Sequence, residues 1–194
     1  MLNANSIKYT LANQLHMLRH FEGLDDGLEE SLLKAGYSGK GIKKELNEPG
    51  SRFFPGFARD IPSLLERIFQ HPCTKIPGDN GNLLLHGTVA QAEFPNGIGT
   101  RAVLPVSAIP PADRDRISSR RNRGIDLLHL EVDEIPSTPE FTLVLRPTQQ
   151  GHVFITAFPG PPSMPLPHHR LKKPIYAQCK AYWQNHVFLY GAEQ

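Results

Sequence analysis

The chain has 194 residues, enough for one domain of ordinary size or for one domain with a helical extension. Hydrophobic residues make up 39% and charged residues 21%, as in a globular protein, while 18 Pro and 16 Gly argue against a helical bundle. The net charge of +2 is too small to indicate nucleic-acid binding by itself. Apolar runs are only a few residues long, far below the roughly 20 that span a bilayer, so we expect no membrane association.

The N-terminus lacks a positively charged start followed by an apolar stretch, so it does not match a signal peptide. We therefore expect a cytoplasmic protein, with delivery by a specialised secretion route left open. Cys73 and Cys179 are far apart and form no CxxC pair, which favours two reduced thiols over a single bridge. His168 and His169 are adjacent rather than four residues apart, and no carboxylate stands at ligand spacing. The sequence therefore predicts no metal and no cofactor.

Helical periodicity dominates residues 1–71. An apolar stripe over residues 7–18 predicts a first helix, and Gly36 ends a second one. A weak third helix covers residues 42–47. The segment 60–62, Asp-Ile-Pro, opens a fourth, because a proline in the first turn of a helix removes no hydrogen bond.

After residue 72 the period approaches two, which predicts strands over residues 83–92, 101–106 and 127–132. A short helix is expected at 112–121 and a last helix at 173–187. Strands that follow one another without regular helices between them favour antiparallel pairing. The sequence thus predicts an α+β fold: an N-terminal helical segment over 1–71, and over 72–194 an α+β domain with an antiparallel sheet of four or more strands and a C-terminal helix.

The stretch 141–160, FTLVLRPTQQGHVFITAFPG, reads as a β-hairpin with a five-residue loop at 147–151. If Arg146 and His152 flank that loop, one sheet face is apolar. It carries Phe141, Leu143, Leu145, Val153, Ile155 and Ala157. The other face carries Thr142, Arg146, His152 and Thr156, with Val144 and Phe154 among them. A period of two makes this sorting all-or-none. An Arg, a His and a Thr on one open face can bind and process a phosphate ester.

Five arginines crowd into ten residues: Arg114, Arg116, Arg120, Arg121 and Arg123. Two interpretations are open. The arginines can form a solvated surface, partly neutralised by Asp113 and Asp115, or they can form an arm that contacts phosphates, for which the guanidinium group is well suited.

The hairpin also carries a family resemblance. The segment 155–160, ITAFPG, and the preceding strand 138–145, TPEFTLVL, resemble the last hairpin of metal-independent endoribonuclease toxins of the barnase–EndoU–colicin–RelE group. The segments 96–100, NGIGT, and 122–124, NRG, are similar to contact-dependent and polymorphic toxin domains. The resemblance covers roughly residues 80–190. It implies an α+β fold with a His, one or two basic residues and a Thr or Ser on the open sheet face, of which only Thr156 is matched by the motif itself.

The function predicted on this basis is cleavage of tRNA or rRNA by transesterification, leaving a 2′,3′-cyclic phosphate without a metal. The candidate catalytic residues are His152, Arg146, Thr156, His86 and His186. The candidate substrate-binding residues are Arg123, Arg120, Arg121 and Thr142. A His can move the protons of this reaction near neutral pH, and Arg can stabilise the charged phosphorane. The resemblance also implies a cognate inhibitor protein as a partner.

Two other functions remain open. The segment 85–88, LHGT, is similar to the strand of ADP-ribosyltransferases in which a His and the backbone hold the nicotinamide ribose, although no Tyr–Glu pattern clearly follows it. The Pro-rich segment 159–167 and the C-terminal aromatic residues would alternatively suit a non-catalytic interaction or scaffold protein.

Overall fold

The computed structural model describes residues 2–23, 26–48, 50–122, 125–166 and 173–191. Its helices are α1 (Leu11–Met17), α2 (Asp26–Lys34), α3 (Gly39–Leu46), α4 (Ile61–Ile68), α5 (Pro111–Arg114) and α6 (Lys173–Gln184). The strands before residue 110 are β1 (Ile7–Lys8), β2 (Cys73–Pro77), β3 (Leu83–Thr88), β4 (Gly99–Thr100) and β5 (Val103–Pro105). The later strands are β6 (Ser118–Asn122), β7 (Ile125–Val132), β8 (Ser137–Thr138), β9 (Glu140–Thr148), β10 (Gly151–Pro159) and β11 (His186–Gly191). Helices at both ends and largely antiparallel sheets define the α+β class, as the sequence predicts.

The chain forms two compact units, each built from two separate segments. Unit one comprises Met1–Thr100 and Ser137–Pro162, and unit two comprises Arg101–Pro136 and Ser163–Gln194. The residues on both sides of position 72 lie in unit one. The change of periodicity there marks the passage from helices to strands within one unit.

The N-terminal helices begin where their capping residues allow. The Thr10 side chain accepts a hydrogen bond from the backbone N–H of Asn13 and starts α1, whereas Ile7, expected in this helix, lies in β1. The Asp60 side chain likewise accepts from the backbone of Ser63 and starts α4, with Pro62 in its first turn as predicted.

Unit one is organised around a five-stranded sheet in the order β1-β10-β9-β3-β2, antiparallel except for the pair β1–β10. The core face of this sheet packs on the helices in one hydrophobic cluster. That cluster includes Met17, Phe21, Phe53, Ile61, Leu64, Ile68, Leu85, Phe141, Leu143, Leu145, Phe154 and Ala157. Helices α1 and α4 therefore share a core with the sheet, whereas Leu18, Leu32 and Ile42 form a separate cluster that includes α2 and α3.

The hairpin formed by β9 and β10 has a different register from the predicted one. Strand pairing continues past Pro147 to Thr148, which faces Gly151, so only Gln149 and Gln150 form the loop. Pro147 is tolerated because β3 reaches β9 only as far as Leu145, so no third strand needs a donor from the proline.

A β-bulge between Phe154 and Thr156 shifts the pairing further. Leu145 faces Phe154, and Thr142 faces Phe158 instead of Thr156. The buried side of β9 is as predicted, and so is that of Ala157 in β10. Before the bulge the prediction for β10 is wrong, because Phe154 lies in the core and Val153 faces Arg146.

Unit two contains a four-stranded sheet in the order β5-β11-β7-β6. Strand β11 runs parallel to β7, and its first two residues, His186 and Val187, were expected to end the last helix. The helix expected at 112–121 is only the short α5, and the arginine-rich segment after it forms β6. One sheet face packs Leu130, Val187 and Leu189, and the other packs on α6.

Both cysteines are free thiols; Cys179 is buried and Cys73 is half-buried. Burial raises the pKa of the Cys73 thiol, which makes it a weak nucleophile at neutral pH. Within the described part of the chain, no helix combines the length and apolar character needed to cross a membrane.

Candidate functional site

The outer face of the five-stranded sheet points away from the core face, and it carries most of the polar side chains of these strands. Residues that are paired directly across neighbouring strands point their side chains to the same face of the sheet. The strand pairing therefore identifies the residues of the outer face. The outer face contains Thr74, Ile76, Leu84, His86, Thr88, Glu140, Thr142, Val144, Arg146, Val153, Thr156 and Phe158. Its centre combines a histidine, a carboxylate and several hydroxyl groups.

His86 is held in a fixed orientation at this centre. Its Nδ1 atom lies 2.9 Å from the carbonyl oxygen of Phe141, and a carbonyl can only accept, so Nδ1 carries the proton. The other ring nitrogen, Nε2, lies 3.7 Å from the Oε1 atom of Glu140. That separation is too long for a direct hydrogen bond. A hydroxyl group or a water molecule can therefore reach the lone pair of Nε2 next to a carboxylate.

The two side chains are partly open to solvent. The exposed fraction is 22% for His86 and 31% for Glu140. Thr74 and Thr88 are more exposed, and each is the direct cross-strand neighbour of one member of the pair. These hydroxyl groups can donate hydrogen bonds to a ligand bound over His86 and Glu140.

Position 87 requires a glycine because there is no room for a side chain on the core side of the sheet. A Cβ atom at this position would lie 2.5 Å from Cζ of Phe141 and 2.8 Å from the carbonyl oxygen of Pro72, both on the core side. The glycine of the LHGT segment thus has a packing explanation. The histidine before it points to the outer face, away from the core cluster; its contact with the sheet is the hydrogen bond from Nδ1 to the carbonyl oxygen of Phe141.

Thr142 has a structural role. Its side chain is fully buried, and its hydroxyl donates a hydrogen bond of 2.9 Å to the carbonyl oxygen of Gly160. The prediction that Thr142 contacts the substrate directly is wrong for this geometry, because its hydroxyl is committed and inaccessible.

The predicted grouping of His152, Arg146 and Thr156 on one face is also wrong. Arg146 and Thr156 lie on the outer face, but His152 pairs with Pro147 and Ile7 and therefore points to the core side, near the hairpin loop. Arg146 is exposed, four residues along β9 from Thr142, which corresponds to roughly 13 Å. The Thr156 hydroxyl contacts the sulfur of Met17 at 3.8 Å. These three residues do not form one reaction centre.

The other predicted site residues belong to unit two. His186 begins β11; its Nδ1 atom lies 2.8 Å from the carbonyl oxygen of Tyr182, and its ring stacks on the Tyr182 ring at a centroid distance of 3.7 Å. Arg120 lies over the Tyr190 ring, and Arg121 faces Asp126 at 3.5 Å. Arg123 lies outside the described residues.

Glu140 is the residue that sequence reasoning missed. It stands one residue before the segment interpreted as a hairpin, and only the β3–β9 register brings it next to His86. The sequence did contain one signal for Glu140. This residue is separated from Thr142 and Arg146 by even numbers of residues, so strand alternation places all three on the same face.

A half-buried histidine pair, His16 and His20, lies beside the outer face. The His20 ring contacts the Phe158 ring at a centroid distance of 6.2 Å and the His16 ring at 5.9 Å. Burial lowers the pKa of His20 to about 3, and burial together with the Arg19 charge lowers that of His16. Nδ1 of His20 lies 2.9 Å from the carbonyl oxygen of Ser51, so the ring is a neutral structural donor at ordinary pH.

Within the described ranges, no group of three His, Cys, Asp or Glu side chains is placed to hold a metal ion. Comparisons with protein-family models, with curated proteins and with solved structures found no match. The function is therefore inferred from the geometry and chemistry of the site.

Proposed function

We propose that this protein is a metal-independent endoribonuclease whose reaction centre is His86 and Glu140 on the outer face of the five-stranded sheet. The observation that carries the proposal is the orientation of His86: the Phe141 carbonyl fixes Nδ1, and Nε2 faces a carboxylate 3.7 Å away. A histidine with a fixed tautomer and a free basic nitrogen is suited to general base catalysis.

In the proposed reaction, Nε2 of His86 removes the proton from a ribose 2′-hydroxyl group. The 2′-oxygen forms a bond to phosphorus, the bond from phosphorus to the 5′-oxygen breaks, and the 5′-oxygen leaves with a proton from water. The products are a 2′,3′-cyclic phosphate and a 5′-hydroxyl group. The Glu140 carboxylate, beside Nε2, stabilises the positive charge of the imidazolium that forms on His86, while the Phe141 carbonyl holds the ring at Nδ1.

Other outer-face residues support binding in this proposal. Thr74 and Thr88 donate hydrogen bonds to phosphate oxygens near the pair. Arg146, on the same face but farther along β9, binds a phosphate at a distance from the scissile bond. The predicted role of Arg146 thus changes from the reaction centre to substrate binding.

The test is incubation of the purified protein with total tRNA and rRNA in EDTA, followed by analysis of the new end groups. We expect cyclic phosphate ends from the wild type and a roughly 10²- to 10⁴-fold loss of rate for His86→Ala. We also expect a smaller loss for Glu140→Gln. Because His152 points to the opposite side of the sheet, His152→Ala should keep its activity. Unchanged cleavage by a folded His86→Ala protein would refute this assignment of the site.

ADP-ribosyl transfer is a second candidate function, and one observation favours it. No Tyr–Glu pattern clearly follows the LHGT segment in the sequence, but the fold brings the carboxylate of Glu140 to 3.7 Å from His86. A carboxylate near the reacting sugar can stabilise an oxocarbenium-like transition state, as it does in glycoside hydrolysis.

The two candidate functions can be distinguished by assaying the protein with two substrates, NAD⁺ and RNA. Release of nicotinamide from NAD⁺, lost in Glu140→Gln, would favour the transferase, and cyclic phosphate ends on RNA would favour the nuclease. Absence of both activities would favour the scaffold function instead.

A further inference from the structure

A row of aromatic rings crosses the four-stranded sheet of unit two. The Trp183 ring of α6 stacks on Phe188 at a centroid distance of 4.6 Å, and Phe188 stacks on His129 at 5.7 Å. The His129 ring meets the edge of Tyr190 at 6.3 Å, and the Arg120 guanidinium lies 5.6 Å from the centre of the Tyr190 ring. The strand registers place the last four residues on one face of the sheet.

Exposure increases along this row. Trp183 is buried, and its Nε1 donates to the carbonyl oxygen of Pro165 at 3.1 Å, so one end is anchored under α6. His129 and Tyr190 are half-buried, and Arg120 is exposed. Packing explains the anchored end. Beyond it, the row presents ring surface and a guanidinium group to solvent.

The charge at the open end suits a polyanion. Unit two carries ten Lys and Arg against seven Asp and Glu, a net charge of +3, although the whole chain has only +2. Arg120 lies against a ring rather than a carboxylate, whereas its neighbour Arg121 points to the opposite face and pairs with Asp126. Burial and the nearby Arg120 lower the pKa of His129, so its ring is neutral at neutral pH and can stack. Glu131 shares this face beside Tyr190, so phosphates are expected at the Arg120 end.

We propose that Arg120, Tyr190 and His129 form a binding surface for single-stranded RNA, in which a nucleobase stacks on the rings and a phosphate contacts Arg120. Stacking on aromatic side chains combined with arginine is the usual physical basis of single-strand binding. This inference rests on the proposed function, because the proposed nuclease activity is what identifies RNA as the ligand. The inference adds a contact surface for RNA in unit two.

The test uses a fluorescein-labelled, 2′-O-methylated oligonucleotide of twelve uridines, which cannot undergo transesterification. Its binding is therefore measured by anisotropy independently of cleavage. We expect Tyr190→Ala to weaken binding about tenfold or more, and Tyr190→Phe to retain most of it, because the phenyl ring still stacks. Arg120→Gln should weaken binding and reduce the slope of log K against log salt by about one. Arg121→Gln is the matched control and should bind like the wild type.

An abasic oligonucleotide with the same phosphates separates stacking from charge, and we expect the wild type to bind it about tenfold more weakly. The proposal would be overturned if the wild type did not bind the oligonucleotide, or if Arg120→Gln and Arg121→Gln bound it with equal affinity. Either result would favour a protein as the occupant of this face. If the wild type binds the oligonucleotide but cleaves no RNA, the proposed nuclease fails while this surface stands. Cleavage without such binding would support the nuclease and refute this surface.

Discussion

Replacing the single residue Thr142 tests whether its hydroxyl group has a structural role or contacts the substrate. The hydroxyl group is buried and donates to the Gly160 carbonyl oxygen. Thr142→Val keeps the shape but leaves that oxygen without its donor, so we expect a loss of about 1–3 kcal/mol in the free energy of unfolding. RNA cleavage per folded molecule should not change. Urea unfolding together with the cleavage assay checks both, and loss of activity at unchanged stability would restore Thr142 to the substrate site.

His20 gives a prediction for pH. Its folded-state pKa, about 3, is far below the value of 6.5 for an exposed histidine, because burial penalises the charged ring. Between these pH values the unfolded chain binds a proton that the folded protein does not. Stability should therefore fall as the pH drops from about 6.5 towards 3, by up to about 1.4 kcal/mol per pH unit for this group.

The His20→Asn variant isolates this contribution, because its amide can still donate to Ser51 while it cannot titrate. Denaturant unfolding at several pH values should show a shallower acid dependence for the variant than for the wild type. Equal slopes for the two proteins would contradict a His20 ring that stays neutral in the folded protein.

At the scale of single residues, the sequence could predict that His86 is a candidate, because a polar residue in the strand LLLHGT stands out. It could not predict its partner. Glu140 and His86 are 54 positions apart, and only the pairing of β3 with β9 decides which carboxylate meets the ring. Burial of Thr142 depends in the same way on Gly160, a contact across the hairpin.

At the scale of elements, the hairpin turn depends on Gly151, whose φ of +124° is a conformation that other residues rarely adopt. Gly151→Ala should cost about 1–3 kcal/mol in stability. Gly39→Ala is the control, because Gly39 begins α3 with ordinary dihedrals and open space around a new Cβ. That change should be neutral or stabilising by up to about 1 kcal/mol. Thermal unfolding of both variants checks the difference, and equal effects would refute the turn geometry.

The elements also show where sequence reasoning fails. Alternation identified the buried side of β9, and capping chemistry located α4, since both signals are local. The predicted hairpin register is wrong because Pro147 resembles a loop residue, and nothing local reveals that β3 ends before it. The bulge near Ile155 is a second such feature, because an extra residue in a strand leaves the hydrophobic pattern almost unchanged. Strand β11 was missed because its first residues, His186 and Val187, follow Tyr182 and Trp183 by four positions and so continue the helical spacing of α6.

For the whole molecule, the sequence could predict the fold class, but it could not predict how the chain divides into two units. Composition and the change of period indicate α+β. Unit boundaries depend on which segments return to pack together, as Ser137–Pro162 returns to the first hundred residues and Ser163–Gln194 returns to Arg101–Pro136. Such long-range pairing leaves no periodic trace in the sequence.

The shared core of unit one gives the last prediction. Residues from the first 71 positions, among them Phe21, Phe53 and Leu64, pack in one cluster with Phe141 and Leu143 of the sheet. A fragment of residues 72–194 would expose that whole sheet face to water, and the hydrophobic free energy that stabilises the sheet would be lost. We therefore expect the fragment to lose the dispersed amide signals of β2, β3, β9 and β10 that the full chain shows, whereas unit two keeps its own hydrophobic clusters. Dispersed amide signals from these four strands in the fragment would instead show that they fold without their helices.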